Sequence, residues 1–248
     1  MKTNILKENE RIDDLEYKGL KIIQNKDGFC FGIDSIILSD FAKEIKNESK
    51  VIDLGTGTGI LGILLCSKTQ TKNIIGIDIQ QEVCNMAIRS INMNGLQDRF
   101  QIINKDIRDL DKIFDKNSFD VVVTNPPYKK KQTGLINENT NKLISKHELT
   151  ATLEDFIHIS SNLLKDRGSL YMVNRPERLS EIICVLNKYK LKPKVLRLVQ
   201  PKIDKPPNLV LIKAVKNARE FLKLEKTLII YNKDGMYSDE ILEIYNKN

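Results

Sequence analysis

The sequence predicts an α/β fold built on a mainly parallel sheet, and two observations carry that prediction. From residue 51 onward, short β-branched runs alternate with longer segments of helical periodicity. The last two runs have no helix between them and are joined by a loop containing Lys and Pro, so they are expected to be antiparallel. Because strands separated by helices connect through right-handed crossovers, the other strands are expected to be parallel, with both faces of the sheet covered.

Seven short apolar runs are predicted as strands, the last two forming a C-terminal antiparallel hairpin. The strands are predicted at 51–54, 74–78, 100–104, 119–123, 168–174, 194–200 and 208–215. The helices are predicted at 60–68, 81–94, 153–164 and 177–189. Gly95 directly follows the second helix, in the position of a C-cap residue. Thr152 and Asp155 have the spacing of a cap at the start of the third helix.

The segment before residue 51 predicts a hairpin at 15–24 and a helix from Ser35 to about Ile45, with Asp34 as its N-cap. The chain has no internal repeat and no linker long enough to divide it. We therefore expect an N-terminal hairpin and helix packed on the core (1–50), a main domain (51–216) and a C-terminal extension of that domain (217–248).

The composition is that of a protein without membrane spans or metal. No run of 18 apolar residues is present, and the first residues lack the apolar core of a signal peptide, so we expect a cytoplasmic protein. The cysteines are scattered, with no paired spacing and no nearby His cluster, which predicts reduced thiols and no zinc site. They are Cys30, Cys66, Cys84 and Cys184. We expect a monomer, although nothing in the sequence specifies an oligomeric state.

Positive charge is concentrated near the C-terminal hairpin. The net charge is +7, and residues 186–216 hold nine Lys or Arg against one acid, Asp204. Clustered charge of this kind suits a polyanion better than general solubility, so a nucleic-acid partner is expected.

A glycine-rich turn after the first predicted strand indicates a cofactor site. The sequence DLGTGTGILG (53–62) places Gly55, Gly57 and Gly59 where backbone can approach a ligand closely. Asp78 ends the second strand, where its carboxylate can accept hydrogen bonds from a ribose diol. In a doubly wound sheet, ligands usually bind in a crevice at the carboxyl ends of the strands, where this turn and Asp78 are expected to lie.

Two phosphate-binding alternatives compete for this turn. A P-loop is excluded because Ile63 stands where the lysine must be. A dinucleotide site stays open, since Gly57, Gly59 and Gly62 form GxGxxG. Asp53 makes a dinucleotide site less favourable. A carboxylate just before the glycines would repel a pyrophosphate, yet it would suit the positive end of S-adenosylmethionine. Asp106, after the third strand, is placed to accept the exocyclic amine of adenine.

The stretch TNPPYKKK (124–131) follows the fourth predicted strand and ends it, because two prolines supply no N–H groups. The side-chain carbonyl of Asn125 and the backbone carbonyl of Pro126, held rigid with Pro127, are two acceptors suited to a planar NH2 group. Tyr128 offers a flat face for stacking a base or amide. Hydrogen bonds to both N–H groups would hold the nitrogen in line with a methyl donor, so no histidine base is required.

These motifs together resemble a known family. DLGTGTG, GIDI, NKDI and NPPY, in this order and spacing, resemble the class I S-adenosylmethionine-dependent methyltransferases that act on planar amino groups, which have a Rossmann-like fold. FCFGIDSIILSDF, KHELTATLEDFI, VNRPERLSEI and DGMYSDEILEIY are similar to one branch, the bacterial tRNA1(Val) (adenine-N6)-methyltransferases, which modify adenosine 37 beside the anticodon. The similarity runs from about residue 15 to the end.

The resemblance implies roles for particular residues. S-Adenosylmethionine would bind at Asp53, Gly55, Gly57, Gly59, Asp78, Ile79, Asp106, Ile107 and Asn125. The target base would be held by Asn125, Pro126, Pro127 and Tyr128. The tRNA phosphates would meet Lys129, Lys130, Lys131, Arg175, Lys202 and Lys205. For the arginines of RPER (175–178), phosphate binding and structural ion pairs remain equally open.

Three other functions are compatible with parts of the pattern. A protein-glutamine methyltransferase of release factors shares NPPY, but only about fourteen residues precede the hairpin here, so its helical substrate domain is expected to be missing. A DNA adenine methyltransferase lacks support because no separate target-recognition region is visible. A non-catalytic nucleic-acid-binding subunit is disfavoured by the intact glycine turn and the intact NPPY.

Overall fold

A computed structural model describes residues 5–26, 32–128 and 151–247. The strands are β1 (Glu10–Asp14), β2 (Lys21–Asn25), β3 (Lys50–Leu54), β4 (Asn73–Asp78), β5 (Phe100–Asn104), β6 (Phe119–Thr124), β7 (Leu164–Asn174), β8 (Leu191–Gln200), β9 (Leu209–Lys216), β10 (Lys223–Leu224) and β11 (Leu228–Ile229). The helices are α1 (Ile33–Phe41), α2 (Ile60–Lys68), α3 (Gln81–Met93), α4 (Leu153–Leu163), α5 (Leu179–Lys188) and α6 (Asp239–Ile244). Two 3-10 helices span Ile107–Lys112 and Pro176–Arg178.

The predicted α/β fold is confirmed. All seven predicted strands belong to one sheet, in the spatial order β8-β9-β7-β6-β3-β4-β5. Strands β3 to β7 pair in parallel with one another, whereas β9 is antiparallel to both β7 and β8. Two strands of two residues each, β10 and β11, pair with β8 and extend the sheet to nine strands among the described residues.

The centre of the sheet is buried on both faces, which is why the central strands β3, β4 and β6 are mainly apolar. Along β6, Val121 and Val123 belong to one apolar cluster, while Val122 lies in the cluster on the other face. The first cluster also contains residues of α1, α2 and α6, and the second contains residues of α4 and α5. Within the described ranges, no helix is both long and apolar enough to cross a membrane.

The N-terminal hairpin is attached to α3 by polar contacts. The backbone N–H of Ile23 donates to Ser90 Oγ at 2.9 Å, and the N–H of Lys21 donates to Asn94 Oδ1 at 3.0 Å. Gly95 has φ +66°, the left-handed conformation expected of a residue that ends a helix, so that prediction is confirmed. The predicted cap of α4 is also confirmed, as Thr152 and Asp155 form a reciprocal capping box.

Two helix starts differ from the prediction. Helix α1 begins at Ile33 with Gly32 as its N-cap, so the assignment of Asp34 as N-cap was wrong. The Asp34 carboxylate instead accepts a hydrogen bond from a residue far away in sequence, Tyr128, and is not available for capping. Helix α5 begins at Leu179, two residues later than predicted, because the residues before it form a 3-10 turn.

Gly62 brings α2 close to β5, and we expect Gly62→Ala to destabilise the protein. A Cβ at this position would lie 2.2 Å from Cζ of Phe100, whose ring is fully buried. Alanine favours a helix by about 1 kcal/mol over glycine, but overpacking typically costs about 1–3 kcal/mol. Urea unfolding should show a net loss of stability.

The matched test adds Phe100→Leu to Gly62→Ala. The double variant should lose less stability than the sum of the two single variants, because the smaller side chain makes room for the methyl group. Additive losses would show that contact with Phe100 is not the reason for glycine at this position.

Candidate active site

The glycine turn between β3 and α2 bends the backbone at the carboxyl edge of the sheet. Gly55, Gly57 and Gly59 have φ of +71°, +58° and +85°, a region that side chains disfavour. The N–H groups of Gly55 and Thr56 both donate to the carbonyl of Ile77 at 2.9 Å, which ties the turn to β4. A Cβ on Gly57 would meet nothing within 4 Å, so this glycine borders open space.

Asp78 lies at the end of β4, next to the glycine turn. Its Oδ2 accepts from the N–H of Gly57 at 3.0 Å, and its Oδ1 accepts from the N–H of Gln80 at 2.9 Å. Burial raises the pKa of this carboxyl group, and the backbone N–H groups oppose that rise. These backbone hydrogen bonds hold the carboxylate in a fixed direction. A carboxylate has about four acceptor positions, more than the backbone N–H groups occupy, so it can still accept a hydrogen bond from a ligand hydroxyl.

Asp53 lies one residue from the end of β3 and is 1 % exposed. Its Oδ2 accepts from the hydroxyl of Thr56 at 2.7 Å. Burial raises the pKa of Asp53 to about 7, the Thr56 hydrogen bond opposes this, and the charge of Asp78 adds to it. No described Lys or Arg forms a salt bridge with either acid, so the negative charge of these carboxylates, when ionised, is not neutralised by a described basic side chain.

The raised pKa of Asp53 predicts a specific pH dependence of stability. Between about pH 4, near its pKa in the unfolded chain, and about pH 7, the folded protein binds more protons at Asp53 than the unfolded chain does. The free energy of unfolding should therefore fall as pH rises through that window. Asp53→Asn, which has the same shape and still accepts from Thr56, should remove this contribution.

Urea unfolding of both proteins at pH 5 and pH 8 measures the effect. Because one pKa unit corresponds to about 1.4 kcal/mol, the two pH dependences should differ by on the order of 3 kcal/mol. The comparison isolates Asp53, since all other titrating groups are common to both proteins. Parallel pH dependences would show that Asp53 ionises normally in the folded state.

The third acid, Asp106, follows β5 and caps the 3-10 helix that begins at Ile107. Its two oxygens accept from Arg108, with Nη2 to Oδ2 at 2.5 Å and the backbone N–H to Oδ1 at 2.9 Å. These hydrogen bonds lower the pKa of Asp106. The sequence did not predict Arg108 as a partner of Asp106. The exocyclic amine of adenine, if it binds here, must share the Asp106 carboxylate with the Arg108 guanidinium. Nearby, Ile79 is 39 % exposed and Ile107 is buried.

The NPPY turn begins directly after β6, whose last residue pairs with the last residue of β3. Asn125, directly after β6, therefore lies beside Gly55, directly after the adjacent strand β3. Pro126 is buried, Pro127 is exposed, and Asn125 and Tyr128 are partly buried. The hydroxyl of Tyr128 lies 2.7 Å from Asn125 Oδ1 and 2.6 Å from Asp34 Oδ2. Burial, followed by the charge of Asp34, raises the pKa of Tyr128, so the phenol keeps its proton.

Arg175 follows β7 at the same edge of the sheet. Its guanidinium carbon lies 4.8 Å from the centroid of the Tyr128 ring, and its Nη1 donates to the carbonyl of Asn208 at 3.0 Å. The second arginine of RPER differs: Arg178 is buried and pairs with Glu181 at 2.8 Å, which is a structural ion pair. The structure thus separates the two arginines that the sequence left equivalent.

Lys202 and Lys205 lie in the loop between β8 and β9. Strand β8 runs in the same direction as β7, because β9 is antiparallel to both, so this loop also opens at the carboxyl edge. Lys205 is exposed and Lys202 partly exposed. Lys129, Lys130 and Lys131 lie outside the described residues.

The carboxyl edge thus presents, in order along the sheet, the residues that follow four adjacent strands. They are Asn125 after β6, Gly55 after β3, Asp78 at the end of β4 and Asp106 after β5. Three interstrand spacings of about 4.8 Å give a crevice roughly 14 Å long. Unpaired buried carboxylates and open space at Gly57 fit an elongated, positively charged cofactor better than a pyrophosphate. Within the described residues, no group of three or more His, Cys, Asp or Glu side chains is arranged to hold a metal ion.

The chain is similar in sequence to known methyltransferases. The family model for the methyltransferase small domain matches residues 32–189. The tRNA1(Val) (adenine(37)-N6)-methyltransferase of Porphyromonas gingivalis is 27 % identical, covering 94 % of this chain and 93 % of that protein. The protein of the same name from Tolumonas auensis is 26 % identical, covering 92 % and 93 % of the two chains.

Solved structures share the fold. A predicted O-methyltransferase from Agrobacterium tumefaciens superposes with a TM-score of 0.70 at 19 % identity, covering 86 % of this chain and 96 % of that one. TYW2 from Pyrococcus horikoshii, solved in complex with MeSAdo, superposes with a TM-score of 0.60 at 16 % identity, covering 86 % and 73 %. These similarities support the Rossmann-like methyltransferase fold expected from the sequence.

Proposed function

Because this chain belongs to the methyltransferase small domain family, we propose that it methylates the N6 amine of an adenosine in tRNA. Membership of the family identifies the chain as a methyltransferase that uses S-adenosylmethionine. The names of its relatives, which it matches over more than nine tenths of both chains, support position 37 of tRNA1(Val) as the target. A tRNA substrate fits a cytoplasmic protein.

The observation that carries the proposal is that the NPPY turn and the buried carboxylate of Asp78 lie on one edge of the sheet, two strands apart. Asp78 would accept from the ribose hydroxyls of the cofactor, and the glycine turn would let its backbone approach. Asp53 would contribute negative charge near the positive end. Bound S-adenosylmethionine supplies an electrophilic methyl group on a positively charged sulfur, which is a good leaving group.

The protein's own contribution to methyl transfer is positioning of the amine. The carbonyl oxygens of Asn125 and Pro126 would each accept one hydrogen bond from the NH2 group of adenine. Together the two bonds hold the nitrogen at a fixed distance from the methyl carbon. They also favour the geometry in which the nitrogen lone pair is available. After transfer, the extra proton on nitrogen passes to water, so no histidine is required.

The target adenosine must leave its stack to enter the crevice, which costs a few kcal/mol. Arg175 covers one face of the Tyr128 ring, and we propose that the base stacks on the other. Stacking on an aromatic side chain is worth about 1–3 kcal/mol per base, which offsets much of the cost.

Basic residues at the same edge would bind the phosphates around the extruded nucleotide. Lys202 and Lys205 in the loop between β8 and β9 are proposed for this role, and so are Lys129, Lys130 and Lys131. Such contacts give binding that weakens with salt. Arg178 is not included, because Glu181 already neutralises it.

The test is incubation with labelled S-adenosylmethionine and one substrate at a time. The substrates are unmodified tRNA1(Val), the same transcript with guanosine at position 37, duplex DNA and a release factor. We expect N6-methyladenosine in the first alone, identified by nucleoside analysis. Label on the release factor or on DNA would contradict the tRNA assignment. Equal label on the two transcripts would contradict position 37.

A further inference from the structure

The hydroxyl of Tyr128 has more acceptors around it than it has protons. It carries one hydrogen, yet Asp34 Oδ2 lies 2.6 Å away and Asn125 Oδ1 lies 2.7 Å away. Both distances are those of strong hydrogen bonds. If both neighbours were oxygen acceptors, one of the two contacts would be an acceptor facing an acceptor, which is repulsive at that distance.

The chemistry of the three groups leaves one consistent arrangement. The carboxylate of Asp34 has no proton to donate, so the hydroxyl must donate to it, and that bond to a charged acceptor is the stronger one. The two ends of an amide occupy nearly the same space, and the hydrogen-bond partners decide which end faces which. Asn125 therefore turns its NH2 group to the Tyr128 oxygen.

This arrangement sets the direction of the Asn125 carbonyl. With the NH2 group held by Tyr128, the carbonyl oxygen occupies the other position of the amide. No described residue forms a hydrogen bond with the atom at that position, so an acceptor is left available at the carboxyl edge. The hydrogen bonds run in one direction, from Asn125 to Tyr128 to Asp34, and each polarises the next.

We propose that Asp34 is a positioning residue, which fixes the Tyr128 proton and thereby presents the Asn125 carbonyl to the target amine. This inference rests on the proposed function, since it concerns the same crevice. Asp34 lies in the first turn of α1, a segment 94 residues away in the chain from Tyr128. Helix α1 packs beside α2 and β7, so the carboxylate is held by the fold and not by the NPPY turn itself.

A double-mutant cycle tests this role. Asp34→Ala should lower kcat by about 10- to 100-fold, the range expected when a reacting group is poorly oriented. KM for S-adenosylmethionine should change less than threefold. Tyr128→Phe should lower kcat similarly. Adding Asp34→Ala to Tyr128→Phe should then cost nothing further, because Asp34 acts only through the hydroxyl.

The matched control is Asp40→Asn on the same helix, since Asp40 pairs with Lys43 and Lys68 at the opposite end of α1. It should leave kcat unchanged. An additive cycle, or a kcat for Asp34→Ala within twofold of the wild type, would overturn the proposal. The cycle repeated with Asp34→Asn covers the case in which the alanine variant does not fold.

A second measurement needs no substrate. With 15N-labelled asparagine, the side-chain NH2 resonances of Asn125 are assigned by their loss in Asn125→Ala. They should shift in both Tyr128→Phe and Asp34→Ala, since both disturb the bond from Nδ2 to the hydroxyl. Unchanged resonances would overturn the amide orientation. The proposed function is tested separately, by whether the wild type methylates tRNA at all.

Discussion

Asn125→Ala should lower kcat for methyl transfer by about 10²–10³-fold, the loss typical of removing one preorganised polar group from a reaction site. The reason is that the carbonyl of Asn125 accepts from the amine whose lone pair must face the methyl group. Binding of S-adenosylhomocysteine should stay within a few-fold of the wild type, because Asp78 and the glycine turn are intact. Single-turnover rates and calorimetric titration measure the two effects.

Asn92→Ala serves as the control for Asn125→Ala, as Asn92 is exposed on α3. It should leave both rate and affinity unchanged. If Asn125→Ala reacts within a few-fold of the wild-type rate, the role given to the NPPY amide is wrong. If the variant instead loses cofactor affinity alone, Asn125 belongs to the cofactor site and not to the target site.

The second large effect is expected from Asp78→Ala, which should weaken S-adenosylhomocysteine binding on the order of 10²-fold. The variant removes the acceptor proposed for the ribose and leaves the N–H groups of Gly57 and Gln80 without their partner. Each hydrogen bond to a charged group is worth about 1.5–3 kcal/mol. Calorimetric titration at fixed pH measures the change in Kd.

Asp98→Ala, at an exposed turn before β5, is the matched control for loss of one carboxylate. It should bind S-adenosylhomocysteine with the wild-type Kd. Asp78→Asn is a milder variant, since an amide can accept from only one of the two backbone N–H groups. Its affinity should fall between the wild type and Asp78→Ala. A Kd for Asp78→Ala within threefold of the wild type would remove Asp78 from the cofactor site.

The features predicted well from sequence are those set by local pattern. The seven core strands follow from runs of β-branched residues, and the end of α3 follows from Gly95. The alignment of Asp78 and the NPPY turn on one edge follows from topology, because parallel strands share their carboxyl ends. None of these inferences requires knowledge of side-chain contacts.

The features that were missed depend on contacts between distant segments. Asp34 has the sequence context of an N-cap, and only the fold brings Tyr128 within 2.6 Å of it. The two arginines of RPER look alike in sequence, but Glu181 neutralises one and the other lies over Tyr128. Strand β10 has only two residues, too few for any periodicity to show.

A crystal structure of the protein with S-adenosylhomocysteine tests the central claim most directly. We expect the ribose hydroxyls within 3.2 Å of the Asp78 carboxylate, and the sulfur on the side of the crevice that faces Asn125. We also expect the Asn125 NH2 group to face Tyr128. A ligand bound elsewhere, or a sulfur separated from Asn125 by protein, would contradict a shared crevice for methyl donor and target amine.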